Sequence, residues 1–117
     1  MRGYILRKLL ILLCSSLVFM ASDANAACGV ASHYGLGDGL HGKRVASGGR
    51  LNAYAMTAAH RSLPFGTKLN VTHGHRSVVV TITDRGPFVR GRILDLTTGA
   101  ARALGMGGTG KVCYASL

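Results

Sequence analysis

The amino-acid sequence predicts a mainly β protein, a small closed barrel of about six short strands with one or two short helices. Two observations carry this prediction. Runs of β-branched or alternating residues recur at short intervals, and glycine- and proline-containing segments separate them. In addition, about 91 residues remain once an N-terminal segment is set aside, enough for a single domain with one core. Short strands in a domain of this size favour closure into a barrel.

The individual elements follow from local pattern. Residues 67–72 alternate as in a half-buried strand, and residues 77–83 form a β-branched run. Residues 35–42 contain four glycines and predict a loop. The predicted strands are, in chain order, 29–34, 67–72, 77–83, 92–96 and 111–115.

Two interruptions divide the second half of the chain. Asp84-Arg85-Gly86-Pro87 ends the strand before it, because proline cannot continue a central ladder. Thr97 or Thr98 is expected to cap a short helix over 100–104, which Gly105 ends.

Residues 1–26 are typical of an export signal. Three basic residues precede an apolar stretch over 9–20, and Ala24-Asn25-Ala26 supplies small residues for cleavage. That stretch is shorter than the ~20 residues of a membrane span. We therefore expect a domain over 27–117, exported to the periplasm or cell wall, without a stable membrane anchor. An uncleaved interfacial helix and a lipid on Cys28 remain alternatives.

The charge is strongly one-sided, with fourteen Lys and Arg, four Asp and no Glu. Such an excess favours an anionic partner. Nucleic acid is not expected, because the cations are scattered singly and an exported chain rarely meets DNA. A cell-wall polymer carrying carboxylates or phosphates fits the compartment better, and a merely solvated basic surface is the alternative. Acid chemistry in the domain can rest only on Asp38, Asp84 or Asp95.

The two cysteines of the domain, Cys28 and Cys113, predict a disulfide in an oxidising compartment. This pairing requires the first and last strands to be neighbours. No metal site or cofactor is expected, because two thiolates alone do not make a zinc cage. His73-Gly74-His75 is interpreted as an exposed turn rather than a metal clip.

Four motifs stand out along the chain. They are Ala31-Ser32-His33-Tyr34-Gly35, Ala58-Ala59-His60 with Leu63-Pro64-Phe65-Gly66-Thr67, Thr83-Asp84-Arg85-Gly86-Pro87-Phe88, and Gly91-Arg92-Ile93-Leu94-Asp95-Leu96 with Ala100-Ala101 and Leu104-Gly105. Together they resemble the rare lipoprotein A family over residues 30–114. The resemblance implies a double-psi β-barrel, related to that of expansins, that acts on peptidoglycan. Some members of the family are lytic transglycosylases that prefer glycan strands stripped of stem peptides.

The resemblance also implies roles for individual residues. It assigns catalysis to Asp84 as acid/base, with His60 as a positioning group and Asp95 as a further acid. Substrate binding is expected of Tyr34, Ser47, Thr57 and Arg85. The family's Ser-Gly-Glu motif falls on Ser47-Gly48-Gly49, so its glutamate is missing here.

The missing glutamate leaves two functions open. Lytic transglycosylation needs only one acid/base group, because the 6-hydroxyl of muramic acid is the nucleophile, whereas glycoside hydrolysis generally needs two carboxylates. A monomeric endolytic transglycosylase acting on glycan strands is therefore expected. The alternative is a non-catalytic, expansin-like module that binds peptidoglycan; a barwin-like inhibitor has no supporting motif. Each site residue could also have a purely structural role. The two aspartates could serve in a turn or an ion pair, and His60 and Tyr34 could serve in packing. A further alternative is that Asp38 replaces the missing glutamate.

Overall fold

The computed structural model describes residues 23–117, which form a closed six-stranded barrel with one short helix. Around the barrel the strand order is β1-β5-β2-β4-β3-β6. This architecture confirms the predicted fold class. The elements are β1 (Ala27–Tyr34), β2 (Thr57–Ala59), β3 (Lys68–His73), β4 (Arg76–Asp84), β5 (Arg92–Thr97), α1 (Thr98–Ala103) and β6 (Thr109–Ser116).

The core fills the barrel with aliphatic side chains that alternate along the strands. Alternation follows from the side-chain period of 2 in a strand, which directs every second residue to the same face. The largest fully buried aliphatic side chains on the strands are those of Leu69, Val71, Val80, Ile82, Leu94, Leu96 and Val112.

Strand β2 is only three residues long and lies between β5 and β4 in the barrel. It pairs in parallel with β4 and antiparallel with β5, while β1 pairs in parallel with β5. The connection over residues 35–56 carries the chain from β1 to β2, past the intervening strand β5. This long connection supplies much of the candidate site described below.

The helix α1 is capped as the sequence predicts. Thr97 is the N-cap, and its hydroxyl accepts a hydrogen bond from the Ala100 amide at 3.2 Å. Position 99 requires glycine, because a Cβ there would lie 2.5 Å from the Tyr54 carbonyl oxygen. The helix therefore packs directly against the backbone of the 35–56 connection.

A disulfide joins the terminal strands. Cys28 on β1 is the antiparallel partner of Cys113 on β6, and their Cα atoms are 4.0 Å apart. The predicted bond is thus confirmed, together with the adjacency of the first and last strands that it requires.

The predicted export signal lies mostly outside the described residues, since these begin at Asp23. The Asp23 carboxylate accepts hydrogen bonds from the Ser116 amide and hydroxyl, at 2.7 and 2.9 Å. Within residues 23–117, no helix has the length and apolar character needed to cross a membrane.

Replacing Cys113 by serine should lower the free energy of unfolding by roughly 2–5 kcal/mol, because the bond closes a long loop and restricts the unfolded chain. Urea unfolding of oxidised protein measures the change. Cys28→Ser is the matched control, and the double variant should lose no more than either single variant because both remove the same bond. Additive losses would contradict this account of the disulfide.

Candidate functional site

The candidate site is built around Ala59, the last residue of β2. Ala59 is in register with Asp84 of β4 on one side and with Asp95 of β5 on the other. Partners in register project to the same face of a sheet. Both carboxylates therefore lie on the face of Ala59, whose own side chain is buried.

A β-bulge turns Asp84 to this face. Ala58 is in register with Ile82, but Ala59 is in register with Asp84, so Thr83 is the extra residue on β4. With strict alternation, Asp84 would follow Val80 and Ile82 into the core. Bulges re-aim side chains in this way next to functional sites.

The Asp84 carboxylate is held by three hydrogen-bond donors. Its Oδ2 accepts from the Tyr34 hydroxyl at 3.0 Å, and its Oδ1 accepts from the amides of Ala46 and Arg85, each at 2.9 Å. Acceptance on both oxygens matches an ionised carboxylate, which has acceptors only. The position of this group is therefore fixed by two other segments of the chain and by the amide of the next residue.

One of those segments is a short hairpin over residues 42–51. Arg44 and Arg50 form its β-bridge, and the Val45 amide donates to the Gly49 carbonyl at 2.8 Å. The tip of this hairpin contacts the end of β4, because the Ser47 amide donates to the Thr83 carbonyl at 3.1 Å. The Ser-Gly-Gly segment at 47–49 is thus adjacent to Asp84.

Asp95 has a different environment from Asp84. It accepts a hydrogen bond from the buried Ser32 hydroxyl at 3.2 Å. Burial raises the pKa of Asp95, and the hydrogen bond from Ser32 and the charges of His33 and Arg92 oppose this only in part. Asp95 thus retains a proton to higher pH than an ordinary aspartate.

Tyr34 remains a hydrogen-bond donor over the whole physiological range. Burial raises the pKa of Tyr34, and the adjacent Asp84 carboxylate raises it further. The phenol therefore stays protonated and keeps its hydrogen bond to Asp84.

Two small cavities flank the hairpin on this side of the molecule. One, of about 70 Å³, is lined by Asp84 and Tyr34 and by the basic residues Lys43 and Arg44. The other, of about 150 Å³, is lined by Ser47, Gly49, Arg50, Asn52, Thr57 and Thr83. Val45 and Leu51 line both cavities, so the cavities are neighbours. Four of the predicted residues, Tyr34, Ser47, Thr57 and Asp84, therefore line adjoining cavities.

The His60 imidazole is directed to a different part of the structure. Its Nδ1 accepts from the amides of Ser62 and Leu63, both at 3.0 Å, so its Nε2 carries the proton and donates to the Tyr114 hydroxyl at 3.0 Å. Burial lowers the pKa of His60, and the charges of Arg85 and Arg61 lower it further. In this structure the His60 side chain is thus neutral and orders the segment after β2. Its contact with Asp84 is made by the backbone, because the His60 amide donates a hydrogen bond to the Asp84 carbonyl.

Arg85 is also occupied within the protein. Its guanidinium donates to the carbonyls of His60 and Leu63, at 3.1 and 2.8 Å, and lies 3.9 Å from the centre of the Phe65 ring. Arg61 makes the reciprocal contacts, donating to the carbonyls of Pro87, Val89 and Arg92. The two arginines brace the loops after β2 and β4, which positions the Asp84 backbone.

The remaining candidates lie apart from the two carboxylates. Asp38 accepts hydrogen bonds from the amides of Gly35 and Leu40, at 2.7 and 3.0 Å, and therefore orders the glycine-rich loop. His73 donates from Nδ1 to the Lys111 carbonyl at 2.7 Å. Among residues 23–117, no group of three or more His, Cys, Asp or Glu side chains could hold a metal ion.

Several site contacts were missed at the level of sequence. The Ala46 amide, the Ser32 hydroxyl, the Tyr114 hydroxyl and Arg61 were not singled out. Ser32 could have been found, because it lies in the first motif, two residues before Tyr34. The other three act through tertiary contacts that no local pattern signals.

Comparison with known proteins places this geometry in context. A family model described as "Lytic transglycolase" matches residues 26–114. A Nostoc protein named "Probable endolytic peptidoglycan transglycosylase RlpA" is 64% identical over 84 residues, covering 70% of this chain and 23% of that protein. The "Endolytic peptidoglycan transglycosylase RlpA" of Campylobacter jejuni is 49% identical over 82 residues, covering 68% of this chain and 29% of that protein.

A solved structure shares the fold. A point mutant of Clavibacter michiganensis expansin, crystallised with cellohexaose, superimposes with a TM-score of 0.62 at 26% identity, covering 79% of this chain and 50% of that one. The chain spans only about a quarter of the length of the two RlpA proteins.

The raised pKa of Asp95 predicts a pH-dependent cost to stability. Because the pKa is higher in the folded state than the usual 3.8, ionisation of Asp95 opposes folding. This cost is absent below pH 3.8 and is present in full above the folded-state pKa. Asp95→Asn should therefore gain stability over the unaltered protein as pH rises through this window, measured by urea unfolding at several pH values.

A direct titration provides the control. The carboxyl ¹³C resonance of Asp95 should titrate with a midpoint above pH 3.8. Ser32→Ala should raise that midpoint further, because the Ser32 hydroxyl stabilises the ionised form of Asp95. Ser77→Ala, at the opposite end of β4, should leave it unchanged. An Asp95 resonance that titrates at or below 3.8 would refute the assignment.

Proposed function

Because this chain belongs to the family of lytic transglycosylases with the RlpA-like double-psi β-barrel, we propose that it is an exported endolytic transglycosylase that cleaves peptidoglycan glycan strands. The observation that supports this most directly is the alignment of Asp84 and Asp95 on one face, on either side of Ala59. The names of the relatives and the glycan bound by the expansin support a glycan polymer as substrate.

The two carboxylates have different environments, and we assign them different roles in the reaction. Asp95, whose pKa is raised by burial, retains a proton to higher pH than an ordinary aspartate, whereas Asp84 accepts hydrogen bonds on both oxygens. Paired carboxylates in contrasting environments commonly separate into an acid and an electrostatic stabiliser. This assignment exchanges the roles that the family resemblance implied, in which Asp84 was the acid/base.

The reaction proceeds without water as nucleophile. Asp95 gives its proton to the glycosidic oxygen as the bond from that oxygen to the anomeric carbon of muramic acid breaks. The Asp84 carboxylate stabilises the positive charge that develops at that carbon. The 6-hydroxyl of the same sugar then attacks the anomeric carbon and returns its proton to Asp95, leaving an anhydro-muramic end.

The other predicted residues serve binding and position. Ser47 and Thr57 line the larger cavity, and we infer that they contact the sugar, while Tyr34 holds Asp84. His60 and Arg85 are positioning residues, because they order the loops after β2 and β4 rather than contact the substrate. The protein is proposed to act as a monomer outside the cytoplasm, after removal of residues 1–26.

A second function is favoured by one observation, the glycine at position 49. If the family's glutamate is indispensable, the protein binds glycan without cutting it. The expansin neighbour with bound cellohexaose is consistent with such a binding module.

Digestion of glycan strands that lack stem peptides tests the catalytic proposal. Mass spectrometry should detect anhydro-muramic ends, whereas reducing ends would indicate hydrolysis. Asp95→Asn should lower the rate by about 10²–10⁴-fold, the contribution of a general acid. Asp84→Asn should lower it by about 10²–10³-fold, the contribution of an electrostatic stabiliser.

Asp38→Asn is the matched control for these two variants. It changes the third aspartate of the domain, which orders the glycine-rich loop, so it should retain activity within a few-fold. Cleavage that is equal in Asp95→Asn and the unaltered protein would remove Asp95 from the mechanism. Absence of cleavage products above the level of the Asp84→Asn protein would end the catalytic proposal.

The Gly49→Glu variant distinguishes the two functions. A Cβ at Gly49 meets no atom within 4 Å, and Gly49 lines the larger cavity, so a side chain that begins at this position enters open space. We expect the variant to cleave no more than about tenfold faster than the unaltered protein, because the acid is already present as Asp95. Gly107→Glu, also in open space, is the control. Cleavage that occurs only in Gly49→Glu would instead establish the binding module.

A further inference from the structure

A pair of exposed aromatic rings lies on the 35–56 connection, outside the set of residues assigned to the reaction. The ring centres of His41 and Tyr54 are 5.7 Å apart and the ring planes meet at 72°, which is an edge-to-face arrangement. Both residues are exposed, Tyr54 to 61%. Covering such rings removes apolar area from water, so an ordered pair of them is a favourable contact surface for a ligand.

Hydrogen bonds to the backbone hold the pair in place. The Ala53 amide donates to His41 Nδ1 at 3.1 Å. The Tyr54 amide donates to Asn52 Oδ1 at 3.0 Å. The Ala53 carbonyl accepts from the Gly99 amide at 2.8 Å, which ties this segment to α1. The rings are therefore ordered before a ligand arrives, so less conformational entropy is lost on binding.

The same contacts fix the tautomer of His41. Because Nδ1 accepts a hydrogen bond, the proton of the neutral ring is on Nε2, which can donate to a ligand. The Tyr54 hydroxyl is a second polar group, able to donate and to accept. The pair thus combines apolar ring surface with polar ring ends. This combination matches a sugar, which carries C–H groups on its faces and hydroxyl or acetamido groups around its edge.

The pair lies next to the two cavities that flank the hairpin. Leu40, which precedes His41 in the chain, lines the cavity that is also lined by Asp84. Asn52, which accepts from the Tyr54 amide, lines the larger cavity. A glycan that extends from the carboxylates through these cavities therefore arrives at the two rings.

A close contact between two segments connects the pair to Asp84. A Cβ at Gly35 would lie 2.5 Å from the Ala53 Cβ, so these two residues are packed against each other. Gly35 follows Tyr34, whose hydroxyl donates to Asp84, and Ala53 precedes Tyr54. The segment that carries the rings is thus packed against the segment that holds the carboxylate.

We propose that His41 and Tyr54 form a further sugar-binding subsite, which takes an N-acetylhexosamine unit of the strand beyond the sugars at the bond to be cut. This inference rests on the proposed function, because it takes a glycan strand as the ligand. The sugar stacks on the Tyr54 ring, and His41 Nε2 donates to a hydroxyl or acetamido oxygen of the same sugar. Binding energy gained at such a remote sugar helps to position the reacting bond.

Binding of two soluble ligands to the purified protein tests this inference. One is the repeating disaccharide of the glycan, and the other is a longer oligomer of the same repeat, which can reach the rings from the carboxylates. We expect the longer oligomer to bind more tightly. Tyr54→Leu should reduce this gain in affinity about fivefold or more, the usual effect of truncating an aromatic anchor. Tyr54→Phe keeps the ring and should keep most of the gain.

The His41→Asn variant tests the hydrogen-bond donor separately from the fold. The asparagine amide offers an oxygen to the Ala53 amide, but it removes the Nε2 donor. We expect the affinity for the longer oligomer to fall about two- to tenfold, the contribution of one neutral hydrogen bond. His75→Asn is the matched control, because His75 is exposed in the turn between β3 and β4, and it should leave Kd unchanged.

The length of the ligand separates a subsite from general damage to the protein. Equal losses of affinity for the disaccharide and the longer oligomer in Tyr54→Leu would overturn the inference, because they would indicate a disturbed site. Equal binding of both lengths by the unaltered protein would overturn it as well. If the unaltered protein still cleaves glycan in either case, the proposed function stands. Length-dependent binding that requires Tyr54, without any cleavage, would uphold the inference and reject catalysis.

Discussion

The pairing of one residue, Ala59, with two strands at once is the constraint on which the site depends. Strand β2 is inserted between β4 and β5, so the register of three residues sets the relative position of Asp84 and Asp95. A slip of one residue would move side chains to the opposite face. The closed barrel fixes β2 on both edges, which is why so short a strand can hold this register.

Around that register, hydrogen bonds rather than ion pairs specify the site. Tyr34 and the tip of the hairpin hold Asp84, and the arginines at 61 and 85 brace the loops that follow β2 and β4. These contacts come from segments distant in sequence, so the site forms only when the barrel closes.

The sequence predicted the strands and the helix well where local pattern is strong. Alternation and β-branched runs located β3 and β4, and Thr97 was among the two expected caps. Strand β2 was not predicted, because three residues carry no periodicity and Ala58-Ala59 has low β-propensity. The motifs indicated which residues gather at the site, including both aspartates. They could not indicate the bulge at Thr83, or that His60 and Arg85 turn to Tyr114 and to backbone carbonyls, because these depend on tertiary contacts.

The central claim is that the glycosidic bond to be cut lies between the Asp84 and Asp95 carboxylates. A crystal structure of the Asp95→Asn protein with a peptide-free muramic acid oligomer tests it most directly. The account predicts a glycosidic oxygen within hydrogen-bond distance of the side-chain amide introduced at position 95, and the anomeric carbon facing the Asp84 carboxylate. A glycan bound elsewhere on the barrel, with neither residue in contact with a glycosidic bond, would contradict it.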